Sequence, residues 1–549
     1  MTYKNKPTYL FALLLVFCLT FFKSHSQSSG FEVIKSLELM DQVYEHLDLY
    51  FVDEPQNGKL SKVAIDAMLK ELDPYTVYYH ESNIEDYRLM TTGQYGGIGS
   101  LIRKIGDDTY FSDPYEGNPA QKGGIKAGDK IISIDGKSMH KKTSDEVASA
   151  LKGPKGTILK IEVERQGTGQ KTYEITRDEI KIPDVPYFGV MGQKVGYISL
   201  NSFTQTASDE VKKGLIKMQA EGMEKLVLDL RGNGGGLLIE AVKIVNFFVP
   251  KNQVVVATRG RVKEENRVYQ TLEEPILPNI PLIVLIDEGS ASASEIVAGS
   301  LQDLDRAVII GSTSFGKGLV QRTYDLKYGS KMKLTIAKYY TPSGRCVQRL
   351  EYYDKDSGAK PKEISDSLLK KFKTKNGREV IDGRGIEPDI AIDKEDLSHL
   401  ASLLYAKDVI FNYATKYAVD YATIEEASQF KLSDAAYEDF KSFALKSDLV
   451  YSSAAEEALK KMKVTAEKEG LFKEIEGDYL KMLEKLKPNE AQDLEKYKPE
   501  ILDLLENEIV SRYYFQKGRT LNSFKHDKVV LKALEIFVEL TNYHSILKD

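Results

Sequence analysis

The chain has 549 residues, and because a single hydrophobic core stops growing near roughly 250 to 300 residues, several domains are expected. Hydrophobic residues at 42% and charged residues at 29% are ordinary for a folded protein and exclude a disordered chain. The formal net charge of -6 argues against nucleic acid as a main partner, because phosphate binding needs a basic surface.

The first 26 residues have the pattern of a secretory signal peptide. Lys4 and Lys6 precede an apolar run at positions 9–22, and small residues follow up to an expected cleavage point near Ser26. The alternative is an uncleaved anchor helix, although the run is shorter than the roughly 20 residues that span a bilayer. We expect an exported protein, periplasmic if the source is a Gram-negative bacterium, with membrane association left open.

The cysteine content indicates whether disulfides can stabilise the fold. Cys346 is the one cysteine left after such a cleavage, so an intrachain disulfide is excluded although the destination is oxidising. We expect its thiol to be a small buried hydrophobic group, and stability to come from packing.

Four regions follow the leader. Residues 27–90 predict an N-terminal helical region, and residues 91–180, rich in glycine between short apolar runs, predict a small β-rich domain with a helix near 144–151. Residues 181–395 alternate buried strands with helices, the pattern of an α/β core. Residues 396–549 are rich in Lys, Glu, Leu and Ala and predict a helical C-terminal domain. The core elements are predicted as strands at 195–200, 226–230, 281–286 and 307–310, with helices at 208–219 and after Gly236.

A serine at a helix start in the core offers a nucleophile. The segment 282–301 predicts a buried strand, a tight turn and a helix that opens around Ser292. A hydroxyl there lies near free backbone N–H groups and the positive end of the helix dipole, which suit a developing oxyanion. Ser292 and Glu295 also fit a capping box, so a capping role alone is the simpler alternative.

If the general base for this serine lies in the core, it cannot be a histidine. No histidine lies between residues 183 and 393, so a Ser-His-Asp triad confined to the core is excluded. A lysine whose pKa falls toward neutrality through desolvation can serve instead. Lys317, between Gly316 and Gly318, follows an apolar strand and is the candidate.

Four blocks of sequence resemble the carboxy-terminal processing peptidases, also called tail-specific proteases, and occur in that family's order. They are Asp229-Leu-Arg-Gly-Asn-Gly-Gly-Gly236, Gly289-Ser-Ala-Ser-Ala-Ser-Glu295, Phe315-Gly-Lys-Gly-Leu-Val-Gln321 and Tyr340-Thr-Pro-Ser-Gly-Arg345. The resemblance spans roughly residues 31 to 395. It implies a multidomain α/β protein whose core is similar to the crotonase-like and Clp protease folds.

The same resemblance implies a Ser/Lys dyad. Ser292 would be the nucleophile, Lys317 the general base, and Gln321 would orient and hydrogen-bond the lysine, with a polar surface position as the alternative for the glutamine. The oxyanion hole would combine the N–H of Ala293 with one from Gly234 or Gly235. The resemblance requires neither a metal nor an organic cofactor.

The β-rich insert resembles a PDZ domain, on the residues Gly97-Ile98-Gly99, Asn118-Pro119-Ala120 and the run from Gly128 to Ile132. A PDZ domain binds an extended C-terminus by strand addition, with loop N–H groups holding the terminal carboxylate. Ile98, Val147 and Leu151 would form its apolar pocket. The pattern departs at Ser100, where PDZ loops usually have a second large apolar residue, which leaves the depth of the pocket open.

A nucleotide-binding function fits the residues less well. The segment from Gly311 to Lys317 has P-loop spacing, but Gly318 stands where a P-loop needs Ser or Thr, and strand follows where a helix is needed. The same scaffold could also support an acyl-CoA enzyme, although no residue pattern marks a CoA site, or a non-catalytic protein that presents unfolded tails. The expected partners are proteins or peptides with free apolar C-termini, and an adaptor or a second copy could bind the helical tail.

Overall fold

The structure is a computed structural model, and it describes residues 28–353, 361–393, 396–447, 452–486 and 489–548. The predicted signal peptide lies outside the described residues. Within the ranges described, no helix is both long and apolar enough to cross a membrane.

The N-terminal region is helical. Its elements are α1 (Ser28–Tyr50), α2 (Asn57–Lys70), β1 (Val77–Tyr79) and α3 (Ile84–Thr92). The apolar residues of α1, such as Phe31 at 64% and Leu37 at 66%, are exposed, so its helical periodicity does not correspond to a buried face. The turn between α2 and β1 is organised by Asp73, whose carboxylate accepts hydrogen bonds from the backbone N–H groups of Tyr75 and Thr76.

The insert is a compact β-rich domain. Its elements are β2 (Gln94–Gly97), β3 (Ser100–Ile105), β4 (Asp108–Pro114), α4 (Pro119–Lys122), β5 (Lys130–Ile134), β6 (Lys137–Ser138), α5 (Ser144–Leu151), β7 (Ile158–Arg165), β8 (Gly169–Thr176) and β9 (Asp178–Lys181). Its sheet has the order β3-β4-β5-β7-β8, with β6 paired to β5, so β3 is an edge strand. Strands β2 and β9 pair antiparallel and bring the two ends of the insert together.

Two main sheets, a larger and a smaller one, and two two-stranded sheets make up the core. Its strands are β10 (Tyr187–Met191), β11 (Val195–Ser199), β12 (Lys225–Asp229), β13 (Val254–Gly260), β14 (Arg267–Gln270), β15 (Leu282–Ile286), β16 (Val308–Gly311), β17 (Leu319–Asp325), β18 (Lys331–Tyr340), β19 (Leu350–Glu351), β20 (Lys362–Glu363), β21 (Lys371–Lys373), β22 (Glu379–Ile381) and β23 (Ile390–Ala391). The two-stranded sheets are β19-β20 and β21-β22. The larger sheet has the order β10-β11-β12-β15-β16-β23, and from β11 to β23 its strands run parallel. The apolar runs of β15 and β16 are fully buried, as expected for parallel strands covered on both faces. The predicted α/β core is confirmed.

Helices of the core cover one face of this sheet. They are α6 (Ala207–Ala220), α7 (Leu238–Asn246) and α8 (Ala293–Asp303), and their apolar residues pack into one cluster with those of β11, β12 and β15. The smaller sheet has the order β1-β18-β13-β14, with β17 paired to β18. Strand β1 therefore attaches the N-terminal region to the core, with Val77 opposite Lys333.

The C-terminal region is helical, as predicted. Its helices are α9 (His399–Ala406), α10 (Val409–Asp420), α11 (Asp434–Ala444), α12 (Ala454–Lys468), α13 (Phe472–Leu486), α14 (Glu490–Lys496), α15 (Lys498–Ser523), α16 (Lys528–Val538) and α17 (Leu540–Leu547). Residues of α16 and α17, among them Phe537 and Tyr543, pack against Val227 and Ile283 on the other face of the large sheet. The last two helices thus complete the core rather than forming part of a separate domain.

Candidate active site

One cavity of about 880 Å³ brings the predicted catalytic residues together. The N-terminal region, the insert, the core and α15 all contribute to its wall, for example through Tyr87, Tyr115, Ser292 and Phe515. The predicted residues that line it are Ser292, Lys317, Gln321, Gly234 and Gly235. None of the histidines in the part of the chain that the structure describes lines it.

Ser292 stands in a strained backbone conformation immediately before α8. Its φ of 56° and ψ of -110° are rare for a residue with a side chain, and such outliers cluster at functional sites. Tyr339, fully buried, donates a hydrogen bond from its hydroxyl to the carbonyl of Ser292 at 3.1 Å. The serine is therefore fixed at the positive end of a buried helix, where a developing negative charge is stabilised.

Glu295 holds the segments of both predicted catalytic residues. Its buried carboxylate accepts from the backbone N–H groups of Ser292 at 2.8 Å, Lys317 at 2.9 Å and Gly316 at 2.7 Å. The hydroxyl of Ser314 donates a fourth hydrogen bond at 2.6 Å. Burial raises the pKa of Glu295, and the four donors oppose this rise because they favour the ionised form. The capping box recognised in the sequence is thus also a link between two loops.

Lys317 is a partly buried cation beneath an aromatic ring. Its Nζ lies 4.2 Å from the ring centroid of Tyr75, which belongs to the turn before β1. Burial lowers the pKa of Lys317 to about 8, and the charge of Lys333 acts in the same direction. Within the described ranges no hydrogen bond joins Lys317 Nζ to the Ser292 hydroxyl, so the predicted dyad is not assembled in this conformation.

Gln321 lines the cavity, but it is hydrogen-bonded to Thr335 and not to Lys317 as expected. Its Nε2 donates to the hydroxyl of Thr335 at 3.1 Å, and that hydroxyl donates to Asp73 at 3.2 Å. The predicted hydrogen bond to Lys317 is not formed among the residues described. The physical reason is register: Gln321 is opposite Thr335 across the β17–β18 pair, so the threonine is the nearest partner.

The glycine turn after β12 passes directly over the nucleophile. A Cβ at Gly235 would lie 2.6 Å from the Ala291 carbonyl oxygen and 2.8 Å from Ser292 Cβ, so only glycine fits there. The N–H of Gly235 already donates to the Asn233 side chain at 2.9 Å. The N–H groups of Gly234 and Ala293, by contrast, have no hydrogen-bond partner in the described part of the chain.

The residues predicted for the PDZ pocket are brought together, but they are closed off from solvent. Ile98, Val147 and Leu151 have exposures of 2%, 0% and 5% and belong to the hydrophobic core of the insert. Gly99 adopts a φ of +72°, and a Cβ there would lie 2.6 Å from the side chain of Asn118. Gly97 is similarly crowded by the Tyr95 ring at 2.8 Å. None of the five predicted residues lines the cavity that contains Ser292.

Sequence reasoning missed several residues that line the cavity or contact its lysine. Tyr75 and Lys333 lie in segments whose only sequence signal is turn and strand propensity, and nothing in the sequence places either beside Lys317. Phe515 has a φ of 55° and a ψ of -152° inside α15, a kink that helical periodicity does not predict. The buried link through Glu295 could have been suspected, since the sequence has this acid three residues after the candidate nucleophile.

Comparison with known families assigns three segments of the chain. Residues 194–357 match peptidase family S41, residues 110–165 match a PDZ domain, and residues 400–537 match a family described as "Probable PDZ-protease, C-terminal helical domain". The core segment is therefore similar to peptidase family S41, and the insert is similar to PDZ domains. The family and the fold class predicted from the sequence are confirmed.

Curated relatives agree with this assignment. The chain is 37% identical over 316 residues to a "Probable CtpA-like serine protease" of Staphylococcus aureus, covering 57% of this chain and 62% of that protein. The corresponding protein of Staphylococcus haemolyticus is 34% identical over 314 residues, with 57% and 63% covered. The match thus spans less than two thirds of the length of either relative.

Solved structures with a likeness to the chain include a photosystem II D1 C-terminal processing protease. It is 27% identical, covers 64% of this chain and 86% of its own, and superimposes with a TM-score of 0.36. The PDZ domain of a carboxy-terminal protease from Vibrio cholerae, in complex with peptide, is 28% identical and covers 16% of this chain and 99% of its own, with a TM-score of 0.16.

Proposed function

We propose that the protein is a serine endopeptidase that cleaves protein chains near their C-termini, with Ser292 as nucleophile and Lys317 as general base. The observation that carries the proposal is the shared cavity: a strained serine at a helix N-terminus lies in one enclosure with a lysine that lacks an ion-pair partner among the described residues. The similarity of the core to family S41 and the serine protease relatives support the same reaction class.

The environment of Lys317 supports a role as base. An unperturbed lysine is almost wholly protonated at neutral pH, whereas a pKa near 8 leaves about a tenth of the side chains neutral at pH 7. Burial and the charge of Lys333 both act in this direction, and Glu295 and Asp73 oppose it. Because the Lys317 ammonium contacts Tyr75 in this conformation, proton transfer requires the side chain to rotate toward Ser292. Such a change on substrate binding is common, since the hydrogen bonds of a catalytic pair often tighten only in the complex.

The reaction then proceeds in two halves. Neutral Lys317 takes the proton of the Ser292 hydroxyl as its oxygen bonds to the scissile carbonyl carbon, and the resulting ammonium protonates the leaving amine as the C–N bond breaks. Water, deprotonated by the same lysine, attacks the acyl carbon, and the ammonium protonates the Ser292 oxygen as the bond between that oxygen and the acyl carbon breaks. Each half returns the lysine to the state in which it began.

The oxyanion formed in each half is assigned to two backbone donors. The N–H groups of Ala293 and Gly234 are without a hydrogen-bond partner among the described residues, which supports them as the pair. Gly235 contributes in a different way, because its missing side chain allows the turn to approach Ser292. Of the two glycines that the sequence offers, Gly234 is therefore the better candidate for the donor.

The PDZ domain is assigned the recognition of the substrate's C-terminus. Strand β3 is an edge of its sheet, so an extended peptide can add beside it between β3 and α5. Because Ile98 and Val147 are buried in this structure, an apolar terminal side chain has to separate them on entry. The lining of this pocket therefore favours substrates with apolar termini.

Mass spectrometry of cleavage products tests the proposal. The unaltered protein and Ser292→Ala are each incubated with an unfolded chain made in versions that differ only in the last three residues. We expect cleavage by the unaltered protein alone, faster for apolar termini than for charged ones. Cleavage by Ser292→Ala at the same rate would refute the nucleophile, and equal rates for all termini would refute the role given to the PDZ domain.

Export through the leader is a separate proposal. It is supported by the apolar run behind Lys4 and Lys6. N-terminal sequencing of the protein isolated from its own cells is expected to begin near Gln27, and an intact Met1 on the bulk of the protein would contradict cleavage.

A further inference from the structure

A further lysine of the catalytic cavity, Lys333, has no ion-pair partner among the residues that the structure describes. Lys333, on β18, is half-buried and lines the cavity together with Ser292 and Lys317. Its Nζ donates to the Met90 sulfur at 3.6 Å, and a thioether is a weak acceptor. Among the described residues it forms no ion pair with a carboxylate.

The acid that attracts the Lys333 ammonium is already hydrogen-bonded to other residues. Asp73 attracts the ammonium, but its oxygens already accept hydrogen bonds from Tyr75, Thr76 and Thr335. Removing a lysine from water without pairing it is costly, and buried lysines are almost always paired. A cation kept in this state at the wall of an active-site cavity is suited to an anion that arrives with the substrate.

The strand register relates this cation to the residues around Lys317. Lys333 is two residues from Thr335 on β18, so both side chains lie on the same face, about 7 Å apart along the strand. Thr335 is the partner of Gln321, and the charge of Lys333 is felt at Lys317. An extended peptide with its scissile bond at Ser292 therefore passes Lys333 within a few residues of the cut.

We propose that Lys333 forms a carboxylate-binding subsite of the peptidase, separate from the PDZ groove, which selects substrates carrying a carboxylate a few residues from the scissile bond. This inference rests on the proposed function. The carboxylate has two sources in a peptide, the C-terminal α-carboxylate or an Asp or Glu side chain. Both would make a charge-assisted hydrogen bond to the ammonium, the stronger kind of hydrogen bond in proteins.

The test uses quenched fluorogenic peptides of one sequence that differ only in charge. One has a free C-terminal carboxylate, one a C-terminal amide, and a third set is amidated and carries a single Glu moved one residue at a time, with Gln at the same places as a match. We expect the unaltered protein to favour one carboxylate-bearing peptide by about tenfold or more in kcat/KM, mainly through KM. The favoured peptide identifies the source of the carboxylate.

Three variants locate the preference. Lys333→Met keeps the length of the side chain without the charge and should abolish the preference. Because the charge of Lys333 also helps to lower the pKa of Lys317, its loss should slow the cleavage of every peptide at neutral pH by the same factor, which leaves the ratios between peptides as the measure of the subsite. Lys333→Arg should restore most of it. Lys517→Met removes an exposed lysine from the wall of the same cavity and should leave the preference intact, because a hydrated cation gains little from pairing.

The outcomes separate this inference from the proposed function. Cleavage of the amide peptide that persists in Ser292→Ala would refute the proposed function itself. Ser292-dependent cleavage with no carboxylate preference, or with a preference that survives Lys333→Met, would refute the subsite alone. A loss of the same size on every peptide in Lys333→Met, with the ratio between carboxylate and amide peptides unchanged, would also overturn it, since Lys333 would then act only through the pKa of Lys317.

Discussion

Replacing Lys317 with methionine should make the protein more stable at neutral pH. The cavity lowers the pKa of this lysine from 10.5 to about 8, so keeping the ammonium there has a cost. At about 1.36 kcal/mol per pH unit, the lowering corresponds to an upper limit of about 3 kcal/mol. Because the side chain retains some contact with water, we expect about 2 kcal/mol, the size of many active-site penalties on stability.

The sign follows from proton binding. Between pH 8 and 10.5 the unfolded chain holds more protons on Lys317 than the folded chain does, so the stability of the unaltered protein rises with pH in this window. The advantage of Lys317→Met should therefore be full below about pH 8 and vanish above about pH 10.5.

Urea titrations at pH 7 and pH 10.5, followed by tyrosine fluorescence and circular dichroism, measure the difference. The control is Lys517→Met, an exposed lysine of the same cavity wall, which should show no difference at either pH. Equal or lower stability of Lys317→Met at pH 7, or an advantage that does not change with pH, would refute the reasoning about burial of the charge.

Three further substitutions probe the cavity. Tyr75→Leu keeps an apolar cover but removes the ring that stabilises the Lys317 ammonium, so the acid limb of the pH profile of kcat/KM should move to lower pH. Tyr75→Phe keeps the ring and should leave the limb in place. An unmoved limb in Tyr75→Leu would contradict a stabilising contact. Gly235→Ala should lower kcat by about a hundredfold with the circular dichroism spectrum unchanged, because its Cβ would displace Ser292, and full activity would show that the turn can yield. Glu295→Gln leaves buried N–H groups without an acceptor and should lower the free energy of unfolding by about 2 to 4 kcal/mol in urea titrations; a change below about 0.5 kcal/mol would mean that Glu295 does not link the two loops.

Much of the core could be predicted because its strands are covered on both faces. Short apolar runs such as those of β12, β15 and β16 predict buried parallel strands in an α/β protein. The observed bounds of these strands differ from the predicted ones by one residue. The helix of the insert, Ser144–Leu151, lies where the sequence predicts it, since Thr143 and Glu146 form a capping box at its start.

The tail and the cavity wall were harder to predict, for a different reason. The two helices after Lys528 are amphipathic, and amphipathicity shows that a face is buried but does not identify the surface that buries it. Tyr75 reaches Lys317 across 242 positions of the chain through the β1–β18 pairing, a contact with no local signature. Adaptor binding or self-association through the tail stays a prediction.

For the catalytic residues, the helix start indicated Ser292, the absence of histidine from the core indicated a lysine such as Lys317, and the family resemblance implied both roles. Both residues lie in one cavity. In this conformation Gln321 is hydrogen-bonded to Thr335 instead of the predicted Lys317, because strand register rather than sequence spacing decides which side chains meet. Its role in orienting the lysine stays a prediction. The choice between Gly234 and Gly235 depended on which N–H is already used by Asn233, and a sequence does not reveal that.

The pH dependence of Ser292 acylation tests the account most directly. A serine-reactive probe is mixed with the protein in single-turnover conditions from pH 5 to 11, and the adduct is followed by mass spectrometry. The account predicts an adduct at Ser292 whose rate rises through an ionisation near pH 8 to a plateau, and that falls at least a hundredfold in Lys317→Met. A rate still rising above about pH 10, one that follows an ionisation near 6.5 as for a histidine, or acylation unaffected by Lys317→Met would contradict it.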